Sequence, residues 1–482
     1  MLDDAALLIG GRWVVPPDGG QVRSIVDCST EVVLRTVPLA GEAEIDRAVD
    51  SARDAFEHGE WSSFSVNRRA DLLEGLAAEL EARCEQIART ISQENGCTIA
   101  TSPQFQVIAA AETASRAARV ARDFQFEDSR QGALGNPVVV TREPVGVVAA
   151  IVPWNVPLTI AMMKLAPALA AGCTVVVKPD PKTALDARYL AEALSACGFP
   201  DGVVSVVPAD REVAEYLVSH DGVDKVSFTG STAAGRRVAS ICGQDIRRCT
   251  LELGGKSAAI IVDDVELDQV LPSLIPAMLM INGQACVAQS RLLVPRSRKA
   301  EIATAVGDAF ASLVVGNALD PETEVGPLVS QEHRARVLDY IRIGVKEGAT
   351  IAVGGEATDV DGKGFFVEPT LMTEVDPRST VAQEEIFGPV VCLIEYDGID
   401  DAVAIANDSP FGLSGSVWTR DVEFGTAVAR RVRTGTINVN YSIPETDAPF
   451  GGFKASGIGR ENGKEALDAY LEYKAIGLRE HP

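Results

Sequence analysis

The sequence predicts an α/β protein built on two doubly wound parallel sheets, with an extended β arm besides. Three observations predict this class. The chain has 482 residues, more than one hydrophobic core usually organises. From residue 145 onward, short β-branched runs alternate with helical periods roughly every 20 to 30 residues. After residue 250 the same alternation starts again, which reads as a second α/β unit.

The elements follow in order. A short N-terminal β segment precedes mostly helical sequence up to about residue 125. In EAEIDRAVDSARDAFEHG, Ile45, Ala48, Val49, Ala52, Ala55 and Phe56 recur at helical spacing. Val66 to Ile91 keeps the same period and reads as one longer helix. Residues 129–144 (SRQGALGNPVVVTREP) read as an extended arm or hairpin. Then VGVVAAIV (145–152) precedes a helix from Thr159 to Ala171. TVVVKP (174–179) precedes a helix from Ala184 to Cys197. VVSVV (203–207) and DKVSF (224–228) each lead into another helix. Near-continuous apolar strands of this kind suit a sheet covered on both faces. The second unit comprises SAAIIV, a helix from Leu267 to Met280, RLLVP, helices at Arg298–Leu313 and near 330–347, and four further strands. YLEYKAIGLRE reads as a final strand. No internal repeat and no low-complexity linker interrupts the chain.

Composition narrows the function. The formal net charge is −24, which opposes phosphate-mediated nucleic-acid binding. The start, MLDDAALLIGGRWVV, lacks the basic n-region of a signal peptide. No segment approaches the roughly 18 apolar residues of a membrane span. Nine cysteines are scattered without C-x-x-C spacing, so zinc ribbons and thioredoxin-type motifs are unsupported. Free thiols in a reducing cytoplasm fit that usage. His58, His220, His333 and His481 are the four histidines. None has a motif around it, so surface roles are expected, and no metal site is.

Parallel sheets bind ligands beyond the carboxyl ends of their strands. After the first strand of the 145 unit stands PWNVPL, where Asn155 is either a turn residue or an oxyanion donor. After the second stands Lys178, free to meet a ribose hydroxyl or a phosphate, or simply solvated. FTGSTAAGR places Gly230 and Gly235 around a turn into a helix, a G-x-T-x-x-G pattern whose small residues let a helix N-terminus approach phosphates. LELGGKS holds Glu252 between apolar stretches. There its pKa should rise toward the range of a general base, unless a lysine or arginine pairs with it. NGQACVAQSR places Cys286 among small neighbours in a helix-to-strand connection, suited to nucleophilic attack on an electrophilic carbon.

PWNVPL, FTGSTAAGR, LELGGKS, NGQACVAQSR, EEIFGPV (384–390) and PFGGFKASGIGRE (449–461) occur in this order. Together they resemble the NAD(P)-dependent aldehyde dehydrogenase superfamily, from about residue 8 to the end. The 34-residue step from Glu252 to Cys286 is also similar to the family's. The resemblance implies a Rossmann-like cofactor domain (1–128 and 145–253) and a catalytic domain (254–452). An oligomerisation arm with the C-terminal strand (129–144 and 453–482) completes it. It implies that Cys286 attacks an aldehyde to give a thiohemiacetal, with Asn155 and the Cys286 N–H holding the oxyanion. Hydride transfer then leaves a thioester, which water activated by Glu252 hydrolyses to the acid. Lys164 matches a lysine that assists proton movement. The implied cofactor contacts are Val152, Trp154, Lys178, Gly230, Ser231, Leu253, Glu385 and Phe387.

Pro181 departs from the commonest pattern, standing where many NAD-preferring members carry a glutamate. NAD is favoured, with NADP left open. Val156, Met163, Ala285 and Val287 predict a wide aliphatic tunnel for a medium-sized aliphatic or aromatic aldehyde. Glu445 and Asp447 are read as solvated loop acids rather than anchors for a cationic aldehyde. A CoA-acylating semialdehyde dehydrogenase, a non-catalytic scaffold on the same fold and a thiol-redox sensor centred on Cys286 are the competing readings. Glu252, the assembled trio and the absence of a nearby resolving cysteine argue against them in turn. The resemblance implies a homodimer or homotetramer, acting on a small-molecule aldehyde without nucleic acid or membrane.

Overall fold

The computed structural model describes residues 6–16, 20–443 and 445–479. His481 and both chain ends of the expected domains lie outside these residues.

The first sheet has eight strands, and its parallel centre runs Val204–Val206, Thr174–Lys178, Val147–Ile151, Lys225–Thr229, Arg248–Glu252. Strand alternation splits its side chains between two cores. Val148 and Ala150 face the helices Val66–Ala82, Ala109–Asp123 and Pro157–Ala171. Val147, Ala149 and Ile151 face the Glu42–Glu57, Arg211–Ser219 and Thr232–Gln244 helices. The 157–171 helix is buried along almost its whole length, as expected of one that is apolar all round. Pro157 opens it and Gly172, at φ 103°, ends it.

The second sheet has seven strands, with Thr370–Thr373, Val390–Tyr396, Arg291–Pro295, Ala258–Ile261 and Gly415–Trp418 adjacent in that order and parallel. It too is wound on both faces. Ala258, Ile260 and Leu293 enter one core, while Ala259, Ile261 and Leu292 enter the other.

A third, three-stranded sheet joins Glu127–Gln131, Pro137–Pro144 and Leu471–Gly477. The expected assignment of everything after 453 to this arm needs correction. Gly457–Ile458 pairs antiparallel with the end of Arg248–Glu252, so PFGGFKASGIGRE returns to the first sheet before the chain reaches the arm. A second correction concerns 66–91, which is two helices, Val66–Ala82 and Cys84–Asn95. Arg83, at φ −105° and ψ 12°, leaves the helical register, and one such residue leaves the apolar period readable across the break. Among the described residues no helix is long and apolar enough to cross a membrane.

Candidate active site

The strands of the first sheet end at Ile151, Lys178, Thr229 and Glu252, and the loops beyond them meet the amino ends of the second sheet. Cys286 sits at that junction, between the helix Leu267–Met278 and the strand Arg291–Pro295. The chain turns there through three successive left-handed residues, Ile281, Asn282 and Gly283 (φ 50°, 57° and 75°). Such a run is unfavourable for a β-branched isoleucine and needs outside support. Asn282 supplies it. Its Nδ2 donates to the Gly96 and Pro327 carbonyls (2.8 and 2.9 Å), and its Oδ1 accepts from the Gly326 N–H. Gln284 adds Nε2 to the Asn95 carbonyl at 3.1 Å and accepts from Val329 N–H at 2.9 Å. The residues before the thiol are therefore cross-links rather than turn fillers.

The two glycines of LELGGKS are required by close approach. A Cβ on Gly255 would lie 2.2 Å from the Cys286 carbonyl oxygen, and one on Gly254 would lie 2.4 Å from Glu385 Oε2. Gly255 N–H donates to Glu385 Oε1 at 3.0 Å. The sulfur rests against the N–H groups of Cys286 and Val287, which favour the thiolate. Burial, with Glu385 and Glu252 nearby, outweighs them and pushes the thiol well up.

Asn155 is buried, and its Nδ2 donates to the Gln284 carbonyl at 2.7 Å. That contact ties the amide to the residue two before the thiol. The Asn155 backbone carbonyl accepts from Asn95 Nδ2 (2.8 Å) and Gln106 Nε2 (3.0 Å). Nothing in the sequence singled out Asn95 or Gln106. The only local signal is Asn95-Gly96 closing a helix.

Glu252 ends its strand with both carboxylate oxygens buried and without a hydrogen-bond partner. Burial raises its pKa well above the carboxylate range, and the like charge of Glu461 adds to this. Lys164 and Arg460 oppose the shift. Lys164 does not line the cavity beside Cys286. Its Nζ donates to Glu461 Oε1 at 2.6 Å, with Ser227 Oγ 3.3 Å from the same oxygen. Glu461 lay inside a quoted motif, yet only the fold shows that it reaches Lys164.

Cys286 and Asn155 open onto a cavity of about 250 Å³. Trp154, Gly230, Ser231, Leu253, Glu385 and Phe387 also line it, as does His333. Ser231 caps the Thr232–Gln244 helix by accepting from Ala234 N–H, so the positive end of that helix faces the cavity. Burial pushes Glu385 up to about 7. Lys178 ends its strand and Val152 directly follows Ile151; both are buried, and neither lines the cavity. Lys182 does, with its Nζ 5.9 Å from the Trp154 ring centroid.

The surface role expected for His333 is corrected. Its ring packs edge-on against Trp154 at 5.4 Å. Burial lowers its pKa to about 4, so the neutral ring donates Nε2–H to the Phe387 carbonyl at 2.6 Å. This bond helps hold Phe387 in its left-handed conformation, φ 65°. Among the described residues no group of three or more metal-binding side chains occurs.

Comparison with known proteins places this geometry. The profile of the aldehyde dehydrogenase family matches residues 13–476. The geranial dehydrogenase of Castellaniella defragrans is 44% identical over 477 residues, covering 99% of each chain. An aldehyde dehydrogenase of Mycobacterium tuberculosis, solved with NAD+, superimposes with a TM-score of 0.96 at 42% identity, covering 98% of each chain. A variant of aldehyde dehydrogenase C from Pseudomonas syringae, solved with NAD+ and octanal, gives 0.94 at 38% identity, covering 98% of this chain and 96% of that one.

Proposed function

This chain belongs to the aldehyde dehydrogenase family, and from that premise we propose how its own residues carry out the oxidation of an aldehyde with NAD. The observation that carries the proposal is that Cys286 and Asn155 open onto one cavity, while the buried, unpartnered Glu252 carboxylate, which lies outside its lining, is close enough for its charge to act on the thiol. These residues come from three separate segments, and no packing requirement demands that combination.

Cys286 is the nucleophile. It attacks the carbonyl carbon to form a thiohemiacetal. The resulting oxyanion takes hydrogen bonds from the Asn155 amide and the Cys286 N–H, an arrangement whose donors are each worth on the order of 3 kcal/mol. A bound NAD, held by Glu385 and by Trp154 and Phe387, would supply the hydride acceptor. The acyl group is left as a thioester on Cys286. Glu252 removes a proton from the water that hydrolyses it, and Lys164 with Glu461 sets the charge that Glu252 experiences.

The cavity fits the nicotinamide end of NAD. Glu385 is fixed by Gly255 N–H where a ribose hydroxyl would be held, and Trp154 and Phe387 supply apolar walls. The N-terminus of the 232–244 helix behind Gly230 and Ser231 suits the pyrophosphate. Lys182 joins Lys178 as a candidate for the adenosine side. Asp180 is less available there, because its side chain caps Lys182 N–H.

A larger cavity of about 540 Å³ lies against the other side of the 279–282 turn. Phe105, Pro276, Leu279, Met280, Tyr441 and Ile443 give it a mainly apolar wall. None of Val156, Met163, Ala285 and Val287 lines it, nor do Cys286, Asn155 and Glu252, so the reading of a medium-sized aldehyde as substrate rests on the relatives, a geranial dehydrogenase and an aldehyde dehydrogenase variant solved with octanal. The three-stranded sheet leaves Leu471–Gly477 as an edge strand, which supports a homodimer or homotetramer. The nine free cysteines fit a reducing cytoplasm.

The test is a kcat/KM series from two to ten carbons, measured without CoA and with the acid product identified. A maximum at six carbons or more is expected. A maximum at acetaldehyde refutes the substrate class, and a requirement for CoA refutes hydrolysis by Glu252.

A further inference from the structure

Two cysteines that the proposed chemistry leaves unused meet at the end of the first sheet away from the cavity. Cys242 lies in the last turn of the Thr232–Gln244 helix, and Cys249 is the second residue of the Arg248–Glu252 strand. The chain between them makes a tight return. Ile246 stands in the left-handed region at φ 55°, and Arg247 N–H donates to the Cys242 carbonyl at 2.8 Å. A helix end closed in this way usually has glycine at the left-handed position; here a β-branched isoleucine holds it.

Strand alternation fixes the face on which Cys249 lies. Cys249 pairs with Val226, and Leu251 pairs with Phe228. Val226, Phe228 and Leu251 are buried in the core that also takes Val238, Ile241 and Cys242 from the helix, and Cys249 packs against that same core. Thr250, the next residue, faces the other way, and its Oγ1 accepts from Lys225 Nζ at 2.8 Å. The two thiols thus meet from helix and strand, and they share a hydrogen bond in which Cys242 Sγ–H donates to Cys249 Sγ. That bond, with the charge of Lys225 on the adjacent strand, lowers the Cys249 pKa, while Cys242 is held up as the donor. Cys242 is 1% exposed, whereas Cys249 is only partly buried. One member is an accessible thiolate and the other stands behind it. A hydrogen bond between two sulfurs leaves them a side-chain rotation away from an S–S bond of about 2 Å.

We propose that Cys242 and Cys249 form a peroxide-reactive thiol pair that closes reversibly to a disulfide. The Cys249 thiolate attacks one oxygen of hydrogen peroxide. The O–O bond breaks, Cys249 becomes a sulfenic acid, and the departing hydroxide takes a proton to leave as water. The Cys242 sulfur then attacks the Cys249 sulfur. The S–O bond breaks, the S–S bond forms, and the thiol proton leaves with the oxygen as a second water. Two thiols lose two electrons in all, and one peroxide is reduced to two waters. A thiol reductant reverses the change, as suits a transient disulfide in a reducing compartment. The pair sits at the opposite end of its strand from Glu252 and of its helix from Ser231. Neither cysteine lines the cofactor cavity, so the cross-link fastens the helix to the sheet without entering the site.

The sequence makes the test direct. Trypsin cleaves after Arg247 and Arg248, which puts the two sulfurs on separate peptides, 238–247 and 249–256. The reduced full chain is treated with hydrogen peroxide at neutral pH, its remaining thiols are blocked with iodoacetamide in denaturant, and it is digested without reductant. Mass spectrometry should find the two peptides joined as one species that dithiothreitol separates. Cys242→Ser should abolish that species and leave Cys249 as a sulfenic acid that dimedone captures. Tm of the oxidised wild type should exceed that of the reduced wild type, with no such gain in Cys242→Ser. The peptide map of the wild type decides the matter even if the variant fails to fold. Recovery of both peptides singly and alkylated, at a peroxide dose that oxidises the chain's methionines, overturns the proposal. So does a disulfide from Cys249 to any cysteine other than Cys242.

Discussion

Lys164 and Glu461, 297 positions apart, meet in a 2.6 Å ion pair that is almost wholly removed from solvent, with side-chain exposures of 0% and 3%. Glu252 lies within range of both charges, raised by one and lowered by the other. A buried pair of this kind adds little net stability, but removing one member leaves an uncompensated charge. Its value here is electrostatic control of the Glu252 carboxylate, whose charge acts in turn on the thiol.

A pH profile should read that control directly. Glu252 acts as a base only when ionised, so kcat rises with pH through its pKa. Glu461→Gln removes the like charge and should move this limb to lower pH. Lys164→Met removes the favourable charge and should move it higher. Coincident profiles for wild type and both variants would disconnect the pair from Glu252. Each substitution should also destabilise the fold by about 3–5 kcal/mol, measured by urea unfolding.

Glu252→Gln should separate two properties of Cys286. The thiol is held well up by burial and by the charges of Glu385 and Glu252. Removing the Glu252 charge should therefore speed alkylation by iodoacetamide at fixed pH, while steady-state acid release falls and acyl-enzyme accumulates. Slower alkylation together with normal turnover would reverse both assignments.

Cys286→Ala should abolish turnover and leave NAD binding near normal by calorimetry. Asn155→Ala should lower kcat by roughly 10²–10³. Asn95→Ala should act through Asn155, whose carbonyl it holds, lowering kcat by roughly 10–10² without raising the KM for NAD. An equal rise in that KM would mean that Asn95 supports the cofactor cavity rather than the amide.

Glu385→Gln tests the sign of a stability contribution. The folded pKa is raised to about 7, against about 4.3 for an unperturbed glutamate. The neutral carboxyl is the form the fold favours. Its contribution is complete below the unfolded value and is lost as pH rises through about 7. Tm of the wild type should fall more steeply than that of Glu385→Gln between pH 4.5 and pH 8. Parallel curves would show that the carboxylate is better solvated than its burial suggests.

Local pattern made several elements legible. The expected helix from Ala184 to Cys197 is present with those bounds, and those from Thr159 and Leu267 differ only at one end. The break at Arg83 was not legible, because one non-helical residue barely disturbs an apolar period. His333 was misread for a related reason. Its sequence neighbours, Gln331, Glu332 and Arg334, describe the solvated side of their helix, whereas Trp154 and Phe387 lie 179 positions before it and 54 after it.

By itself, the sequence determined the alternation of strands and helices, the apolar character of the central strands and the residue types at the strand ends. These depend on spacing along a few turns of chain, which the residue order states directly. The tertiary structure alone decided that Glu461 reaches Lys164, that Asn95 and Gln106 hold Asn155, and that Lys256 is left without a partner. Burial and charge act through space, and their effect on a group depends on which distant segments close around it.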